Sequence, residues 1–361
     1  MLRTFGSPHR YMQGPGALRE LGTLARSYGS RVLVIADAVV SQLLSLPVAA
    51  AFEGSDAQLQ FAEFSGECTA AEIERLTAVA CASNADVVVG LGGGKAIDTA
   101  KGVCVEHRKP LIVVPTIASN DSPTSRLVVV YTDTHQLHEV RKLRANPDVV
   151  LVDTAILIQA PERFFVSGIG DALSKKFEAA QCVATGNLNF YAAHPPFIAQ
   201  VIADACYETI RTSAEAALEA LRRRTVDEAF ERTVEATILL SGLAFENGGL
   251  SMAHSLTRGF SAVPETASAL HGEQVAFGLL VQLVLEGRPR DFIDELRRFY
   301  ALIGLPRSLN DLGLKGDPAA AATVIARDTW ARAPYVKALS GGVDAARIEA
   351  ALITVHHWID R

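Results

Sequence analysis

Three residues in the second half of the chain could together hold a metal ion. Asp171 lies in SGIGDALSKKFEA, His254 in GGLSMAHSLTRGF and His271 in SALHGEQVAFG. One carboxylate and two imidazoles that leave a coordination position open suit a catalytic Zn²⁺ or a similar divalent ion. Spacing alone leaves an alternative, because each histidine stands among small and apolar residues and could be a hydrogen-bonded core residue.

A glycine turn in the first half could bind phosphate. The segment DVVVGLGGGKAIDTAK, residues 86–101, predicts a buried strand that leads through a glycine turn directly into a helix. Backbone N–H groups converge at such a helix N-terminus, where the helix dipole also favours an anion such as a pyrophosphate. The pattern matches neither G-x-G-x-x-G nor a Walker A loop, so a tight turn without a ligand is the alternative.

Polar residues follow two other predicted strands. Asp37 ends RVLVIAD at the carboxyl edge of the sheet, where doubly wound domains bind their ligands. A carboxylate there suits a ribose diol and would repel the extra phosphate of NADP, although a plain helix cap is equally compatible with a lone Asp. The segment VPTIASNDSPTSR, residues 114–126, is either a ligand wall or a Ser/Asn/Pro turn.

The elements that must position these residues fall into two groups. From residue 30 to about 153, β-branched runs alternate with helical patterns, which predicts an open doubly wound α/β domain with both sheet faces covered. The segment THQLHEVRKLRANPD within it is typical of a polar hairpin or loop. After Pro161, Ala- and Leu-rich stretches with a 3.6-residue period predict seven or eight helices. We therefore expect an α/β domain over residues 1–162 and a helical domain over residues 163–361.

Composition excludes several classes of protein. The 361 residues are 49% hydrophobic and 20% charged, as in a folded soluble protein. A net charge of −6 argues against nucleic acid or anionic lipid as a partner. The five cysteines are scattered and form no C-x-x-C pair, so reduced and mostly buried thiols are expected. With no signal-like start and no 18-residue apolar run, we expect a cytoplasmic protein without a membrane partner.

Taken together, the segments resemble the glycerol dehydrogenase branch of the iron-type, metal-dependent alcohol dehydrogenases over nearly the whole chain. The order of the motifs carries the resemblance: VLVIAD, GLGGGKAIDTAK, VPTIASNDSPTS, NPDVVLVDT, GIGDAL, MAHSLTRGF and LHGEQVAFG. It implies an N-terminal Rossmann-like domain and an all-α C-terminal domain, the fold shared with dehydroquinate synthase, with the active site in the cleft between them. It further implies a homo-oligomer, commonly an octamer.

The resemblance also implies roles for individual residues. Zn²⁺, or another divalent ion such as Fe²⁺, would be held by Asp171, His254 and His271, and Asp121 would contact a substrate hydroxyl as a fourth catalytic residue. The NAD-binding site would be lined by ten residues: Asp37, Gly93, Gly94, Lys95, Asp98, Thr116, Ser119, Ser125, Leu127 and Tyr131.

Three cations depart from the pattern of the resembled branch. Lys175 stands where iron-binding relatives carry a third histidine, one helical turn after Asp171, and an ammonium cannot ligate a metal. Arg258 replaces Asn or His, and Arg126 replaces Ala. A 2-hydroxy acid or a phosphorylated polyol would be preferred if Lys175 or Arg126 points into the cleft, whereas Lys175 could instead pair with Asp171.

The predicted reaction is therefore NAD- and zinc-dependent oxidation of glycerol, or of a related vicinal diol, which gives dihydroxyacetone from glycerol. Dehydroquinate synthase-like lyases and glycerol-1-phosphate dehydrogenases are alternatives on the same fold, but both need cationic pockets for phosphate. A non-catalytic nucleotide-binding scaffold is a third interpretation, and the intact Asp171, His254 and His271 argue against it.

Overall fold

A six-stranded parallel sheet forms the centre of the first half in the computed structural model, which describes residues 2–133 and 137–359. The strands lie in the order β1-β8-β5-β4-β2-β3. Their bounds are β1 Arg10–Gly14, β2 Arg31–Ala36, β3 Gln58–Glu63, β4 Val87–Gly92, β5 Leu111–Pro115 and β8 Val149–Asp153.

The central strands are buried on both faces. All residues of β4, β5 and β8 are buried, as are all residues of β2 after Arg31. Side chains alternate across a strand, so Leu33 and Ile35 pack into one apolar core while Val32 and Val34 pack into the other. The parallel, doubly covered sheet predicted from these near-continuous apolar runs is confirmed.

The two edge strands were not among the predicted runs. β1 is only partly buried, with Arg10 exposed, and β3 has the alternating sequence QLQFAE with three exposed residues. A half-exposed edge strand lacks the continuous apolar signal of a buried strand, which explains why only the four inner strands stood out.

Helices connect the parallel strands, and the direction in which successive strands are added to the sheet reverses between β2 and β4. Their bounds are α1 Leu21–Arg26, α2 Ala38–Ala50, α3 Ala70–Ala82, α4 Gly94–His107 and α5 Thr154–Leu157. The chain runs outward from β2 to β3 on one side and from β4 to β5 on the other. The carboxyl ends of β2 and β4 therefore flank the crevice where sheets of this kind bind ligands.

The segment predicted as a polar hairpin or loop, residues 134–148, supplies the second strand of a hairpin. β6 Leu127–Tyr131 pairs antiparallel with β7 Leu137–Lys142. Residues 134–136, which lie between these strands, are outside the described residues.

The second half is helical throughout its described part. The helices are α6 Glu162–Ala184, α7 Phe197–Arg222, α8 Glu228–Glu235, α9 Ser241–Gly248, α10 Met252–Phe260, α11 Pro264–Ala267, α12 His271–Leu285, α13 Arg290–Ile303, α14 Pro318–Arg332 and α15 Ala345–His356. A π-helical turn, Ala236–Leu240, joins α8 to α9. The sequence predicted seven or eight helices, and the described residues form ten. The difference arises because the π-helical turn divides one long helix into α8 and α9 and because α11 is only a single turn.

Residue 162, the last residue of the predicted first domain, is the first residue of α6, and the division into two domains stays a prediction. The chain start nevertheless contacts the helical half, since the Gly6 amide donates to Asn247 Oδ1 and Arg3 bridges to His194. All five cysteines are free thiols, and four are buried, with only Cys81 exposed. Within residues 2–133 and 137–359, none of the helices is both apolar enough and long enough to cross a bilayer.

Candidate active site

Helix α6 supplies three side chains to one cluster. Asp171, Lys175 and Glu178 are spaced i, i+4 and i+7, so they lie on the same helix face, and all three are buried. Two glycines earlier in the helix allow close approach of other segments. A methyl group on Gly168 would lie 2.1 Å from the Ala118 carbonyl oxygen, and one on Gly170 would lie 2.6 Å from the Gly272 carbonyl oxygen.

Glu178 fixes the position of His254. Its Oε1 accepts from the backbone amides of Ser251 (2.9 Å) and His254 (3.0 Å) at the start of α10. Its Oε2 accepts from His254 Nδ1 at 2.6 Å. The bond to Nδ1 turns Nε2 toward Asp171, the arrangement in which an outer carboxylate orients a metal-ligating imidazole.

Asp171, His254 and His271 converge at one point. One ligand atom from each lies within 4.8 Å of the others. Asp171 Oδ1 is 3.2 Å from His254 Nε2 and 3.9 Å from His271 Nε2. These separations suit the edges of a coordination shell with bonds of about 2.0–2.2 Å.

Two further observations fit a cation at this point. Asp171 Oδ2 is buried and has no hydrogen-bond partner among the described residues, which is costly for a carboxylate oxygen without a ligand. The His271 side chain is 46% accessible, so one side of the cluster is open to a small molecule. The donor set therefore fits a divalent metal with an open position.

The Lys175 ammonium reaches the same cluster. It is fully buried and donates to Asp171 Oδ1 at 2.5 Å. It also lies 3.1 Å from Asp121 Oδ2 and 3.2 Å from His254 Nε2. Lys175 therefore pairs with Asp171, the alternative left open from the sequence, and Asp121 adds a second carboxylate.

Asp121 comes from the polar loop of the sheet half. It lies between β5 and β6, and its Oδ2 accepts from Ser241 Oγ at 2.6 Å. Ser241 directly follows the π-helical turn, and within that turn the Ile238 carbonyl accepts from Thr124 Oγ1. The helical half thus holds the loop that bears Asp121. No hydrogen bond among the described residues engages Asp121 Oδ1, which is left to accept one from a ligand.

The charges of the cluster shift one another's pKa values. Burial raises the pKa of Asp121, and the neighbouring Asp171 carboxylate adds to this. Burial would also raise the pKa of Asp171, but Lys175 and the two imidazoles outweigh it and hold the pKa below its usual range. Burial lowers the pKa of His254, but the charge of Glu178 together with the hydrogen bonds to Asp171 and Glu178 outweighs this and raises the pKa to about 9.

The glycine turn and Asp37 lie side by side at the switch point. A methyl group on Gly92 would lie 3.9 Å from Asp37 Oδ2, and one on Gly94 would lie 2.9 Å from Asn120 Nδ2 in the polar loop. Among the described residues no side chain caps the N-terminus of α4, so its first amides donate no such bond to the side-chain oxygens of this part of the chain. The Asp37 carboxylate also accepts from the Val40 amide as the N-cap of α2, the alternative noted from sequence.

The remaining residues predicted to line the cofactor site surround this turn. Lys95 pairs with Glu67 at 2.6 Å and lies 5.7 Å from the Tyr131 ring centre. Gly93, Thr116 and Ser119 are partly exposed along the same edge, whereas Ser125 and Leu127 are buried.

Asp98 belongs to a buried polar network below the turn. Its Oδ1 accepts from Ser122 Oγ (2.6 Å) and from the fully buried Lys101 (3.1 Å), and its Oδ2 accepts from the Val129 amide. Lys101 also donates to the carbonyl oxygens of Ser122 and Leu127. This network ties α4 to the polar loop and the hairpin, and both oxygens of Asp98 are used in it.

The two arginines that depart from the resembled pattern differ in their surroundings. Arg126 donates to the Phe190 carbonyl, lies 3.7 Å from Glu246 and stacks 4.2 Å from the Tyr191 ring centre, so it is held by protein groups. Arg258 stands one turn after His254 on α10 and is half-buried. Among the described residues its guanidinium has no ion pair.

Sequence reasoning missed Glu178, Ser241 and Lys101. Only the spacing of Glu178 from Asp171, which puts both on one face of α6, was a usable signal. Ser241 and Lys101 carry no comparable local signal, because their partners come from distant segments.

Comparison with known proteins agrees with this architecture. The family model described as iron-containing alcohol dehydrogenase matches residues 8–154. The glycerol dehydrogenase of Citrobacter freundii is 37% identical over 365 residues, with 100% of each chain covered. The glycolaldehyde reductase of Halobacterium salinarum is 37% identical and covers 98% of this chain and 97% of its own. The crystal structure of a probable glycerol dehydrogenase from Sinorhizobium meliloti 1021 is 36% identical, with a TM-score of 0.93 and 98% of each chain covered.

The fold and the site define an oxidoreductase that acts on CH–OH groups. The chain belongs to the iron-containing alcohol dehydrogenase family and is similar over its whole length to the glycerol dehydrogenases in it.

Proposed function

We propose that this protein oxidises glycerol or a related vicinal diol by hydride transfer to NAD, with a divalent metal, Zn²⁺ or alternatively Fe²⁺, at the cluster. Glycerol would give dihydroxyacetone. The observation that carries the proposal is the convergence of Asp171, His254 and His271 within 4.8 Å, next to Asp121. The similarity to enzymes named glycerol dehydrogenase supports the choice of substrate.

Asp171, His254 and His271 would hold the metal, which lowers the pKa of a bound hydroxyl so that an alcohol can lose its proton near neutral pH. Asp121 Oδ1 would accept a hydrogen bond from a second hydroxyl and so orient a diol. Ser241 and Lys175 hold the other oxygen of that carboxylate and prevent it from turning away. Orientation of the reacting carbon toward the cofactor is the main contribution such groups make.

The sheet half would bind the dinucleotide. The uncapped N-terminus of α4 offers backbone amides to a pyrophosphate, and the glycines allow it to approach the backbone closely. Asp37 would accept from the ribose hydroxyls and would repel a 2′-phosphate, so we expect NAD to be preferred over NADP. The cofactor roles of Gly93, Gly94, Lys95, Asp98, Thr116, Ser119, Ser125, Leu127 and Tyr131 remain predictions.

The surroundings of the cations favour a neutral substrate over a phosphorylated one. Two carboxylates within 3.1 Å neutralise Lys175, and Arg126 is engaged by Phe190 and Tyr191. Neither supplies the free positive charge that a phosphate pocket needs. The same observation disfavours a dehydroquinate synthase-like lyase, as does the family match.

One observation favours a second candidate, a 2-hydroxy acid. Arg258 lies on the same face of α10 as His254, one turn away, and has no acidic partner among the described residues. Burial lowers its pKa, and it interacts electrostatically with Tyr131 and Tyr335. A carboxylate bound next to the metal cluster would meet this guanidinium.

A substrate panel tests both candidates. Zinc-reconstituted protein would be assayed with glycerol, 1,2-propanediol, 2-hydroxy acids and glycerol phosphate, each with NAD and with NADP. We expect the highest kcat/KM for a neutral diol with NAD. A preference for a 2-hydroxy acid that disappears in Arg258→Asn would establish the second candidate instead.

His254→Ala tests the metal assignment. It should abolish turnover and zinc binding and leave NAD affinity largely intact, because NAD would be held by the other half of the chain. Full turnover by the metal-free variant would contradict the assignment.

The predicted homo-oligomer, an octamer in the resembled family, has a candidate surface. Five exposed apolar residues lie in the last turn of α6, the loop after it and the first turns of α7: Val183, Leu188, Phe197, Ile198 and Val201. Phe197, which is 83% accessible, would be the central contact. Sedimentation of Phe197→Asp against wild type tests this, and an unchanged mass would reject the surface. A cytoplasmic location remains a prediction.

A further inference from the structure

The Lys175 ammonium shares its contacts with the metal site on which the proposed function rests. Its nearest cluster atom is Asp171 Oδ1, and Asp121 Oδ2 and His254 Nε2 follow. Of these three, Asp171 Oδ1 and His254 Nε2 are the atoms that would bond to the metal. Asp171 Oδ1 is also the carboxylate oxygen that lies next to the Nε2 atoms of both imidazoles. A lysine and a metal therefore depend on the same oxygen.

The distances exclude a simple coexistence of the two cations. Asp171 Oδ1, His254 Nε2 and Lys175 Nζ form a triangle with sides of 3.2, 2.5 and 3.2 Å. An ion bonded to the first two atoms at about 2.1 Å would lie no further than about 3.7 Å from Nζ. Because the Lys175 side chain is fully buried, water cannot screen two positive charges at that separation.

An alternative position for the ammonium is present beside the cluster. Asp121 Oδ2 is 3.1 Å from Nζ and is not a member of the ligand set. The Phe245 ring centre lies 5.5 Å from Nζ, and the face of an aromatic ring also attracts a cation. Lys175 can thus give up Asp171 and keep a counter-charge.

We propose that Lys175 is an internal competitor for the metal site, which occupies Asp171 and His254 in the metal-free protein and must withdraw toward Asp121 when a divalent ion binds. The consequence is weaker metal binding than the same three ligands would give without it. The metal-free cluster is in turn held together by the ammonium, since Asp171 and Asp121 would otherwise face each other as two buried negative charges.

Zinc titration of matched variants tests the proposal. Full-length protein would be stripped with a chelator, and its zinc affinity measured by competition with a chromogenic chelator. Lys175→Met keeps the length of the side chain and removes the charge. We expect it to bind zinc at least tenfold more tightly than wild type.

Lys176→Met is the matched control. Lys176 is the next residue of α6, but it is partly exposed and pairs with Glu208 and Asp204 away from the cluster. Its loss should leave zinc affinity unchanged. Equal or weaker zinc binding by Lys175→Met would overturn the proposal and leave the metal site intact. The absence of a stoichiometric zinc site in both wild type and Lys175→Met would overturn the metal site as well.

A second measurement needs no variant. In a crystal structure of zinc-loaded wild type, Lys175 Nζ should lie beyond hydrogen-bond distance of Asp171 Oδ1 and remain within it of Asp121. An ammonium still bonded to Asp171 Oδ1 beside a fully occupied zinc would overturn the proposal.

Discussion

Replacement of Glu178 by glutamine should weaken metal binding because it changes which nitrogen of His254 carries the proton. Glu178 is fully buried and accepts three hydrogen bonds, two from backbone amides at the start of α10 and one from His254 Nδ1. A glutamine has a single accepting oxygen, so it cannot satisfy both groups of donors. If the glutamine oxygen keeps the hydrogen bonds from the two backbone amides, the glutamine NH₂ group faces His254 Nδ1. An NH₂ donor at Nδ1 favours the tautomer of His254 with its proton on Nε2.

The size of the effect follows from this geometry. A proton on His254 Nε2 removes the lone pair that would bind the metal, and loss of an outer carboxylate of this kind typically costs 10–100-fold in metal affinity or activity. The opposite orientation leaves two amide donors facing NH₂, at about 1–3 kcal/mol for unsatisfied buried groups. We therefore expect Glu178→Gln to lose about 10–100-fold in zinc affinity and kcat/KM, and about 1–3 kcal/mol of stability.

The assay needs a buried glutamate outside the cluster as its control. Glu246 on α9 is also fully buried and accepts from the Arg126 amide at 3.0 Å and from Asn146. Glu246→Gln should lower the thermal midpoint without a change in zinc affinity. The reasoning fails if Glu178→Gln binds zinc within twofold of wild type, or if the two variants lose zinc affinity equally.

Three further expectations concern other parts of the chain. Of the five thiols, only exposed Cys81 should react rapidly with a thiol reagent in the native protein, because burial excludes the reagent and raises the pKa of the others, and a count of two or more fast thiols would contradict this. Gly170→Ala should lower both thermal stability and kcat/KM, since its methyl group would lie 2.6 Å from the Gly272 carbonyl and push Asp171 from His271; unchanged kinetics would refute it. Arg31 lowers the pKa of Asp86 to about 2, so this carboxylate stabilises the fold above its unfolded pKa and the benefit is lost as pH falls from about 4 toward 2. Asp86→Asn should therefore lower the thermal midpoint at pH 6 and match wild type near pH 2, and a constant difference across this range would be inconsistent with the pairing.

The inner strands and the helical half were predictable because their signals are local. A run such as VVLVD is apolar at nearly every position when both faces of its strand are buried, as they are in β8. The edge strands β1 and β3 bury less and lack that signal. The order of strands depends on pairing between distant segments, which a single sequence does not display.

Within the candidate site, the three metal-ligand candidates were predictable from the sequence, whereas the residues that position them were not. Asp171, His254 and His271 were grouped as candidate ligands by their residue types, and the resemblance supported the set, since 83 positions separate the first two and spacing alone could not unite them. Glu178 acts through contacts with α10 that exist only after folding. Lys175 was recognised as a departure from the family pattern, but its contact with Asp121 depends on the approach of the polar loop to α6.

The π-helical turn at Ala236–Leu240 determines which way the side chains of the following helix, α9, point. An α-helix advances by about 100° per residue, and a wider turn absorbs roughly one additional residue without rotating the helix that follows. If the same residues were wound as a regular α-helix instead, the hydroxyl of Ser241 would rotate by about 100° away from the Asp121 carboxylate that it now supports. The one extra residue in this turn thereby keeps Ser241 of the helical half in hydrogen-bond contact with Asp121 of the sheet half.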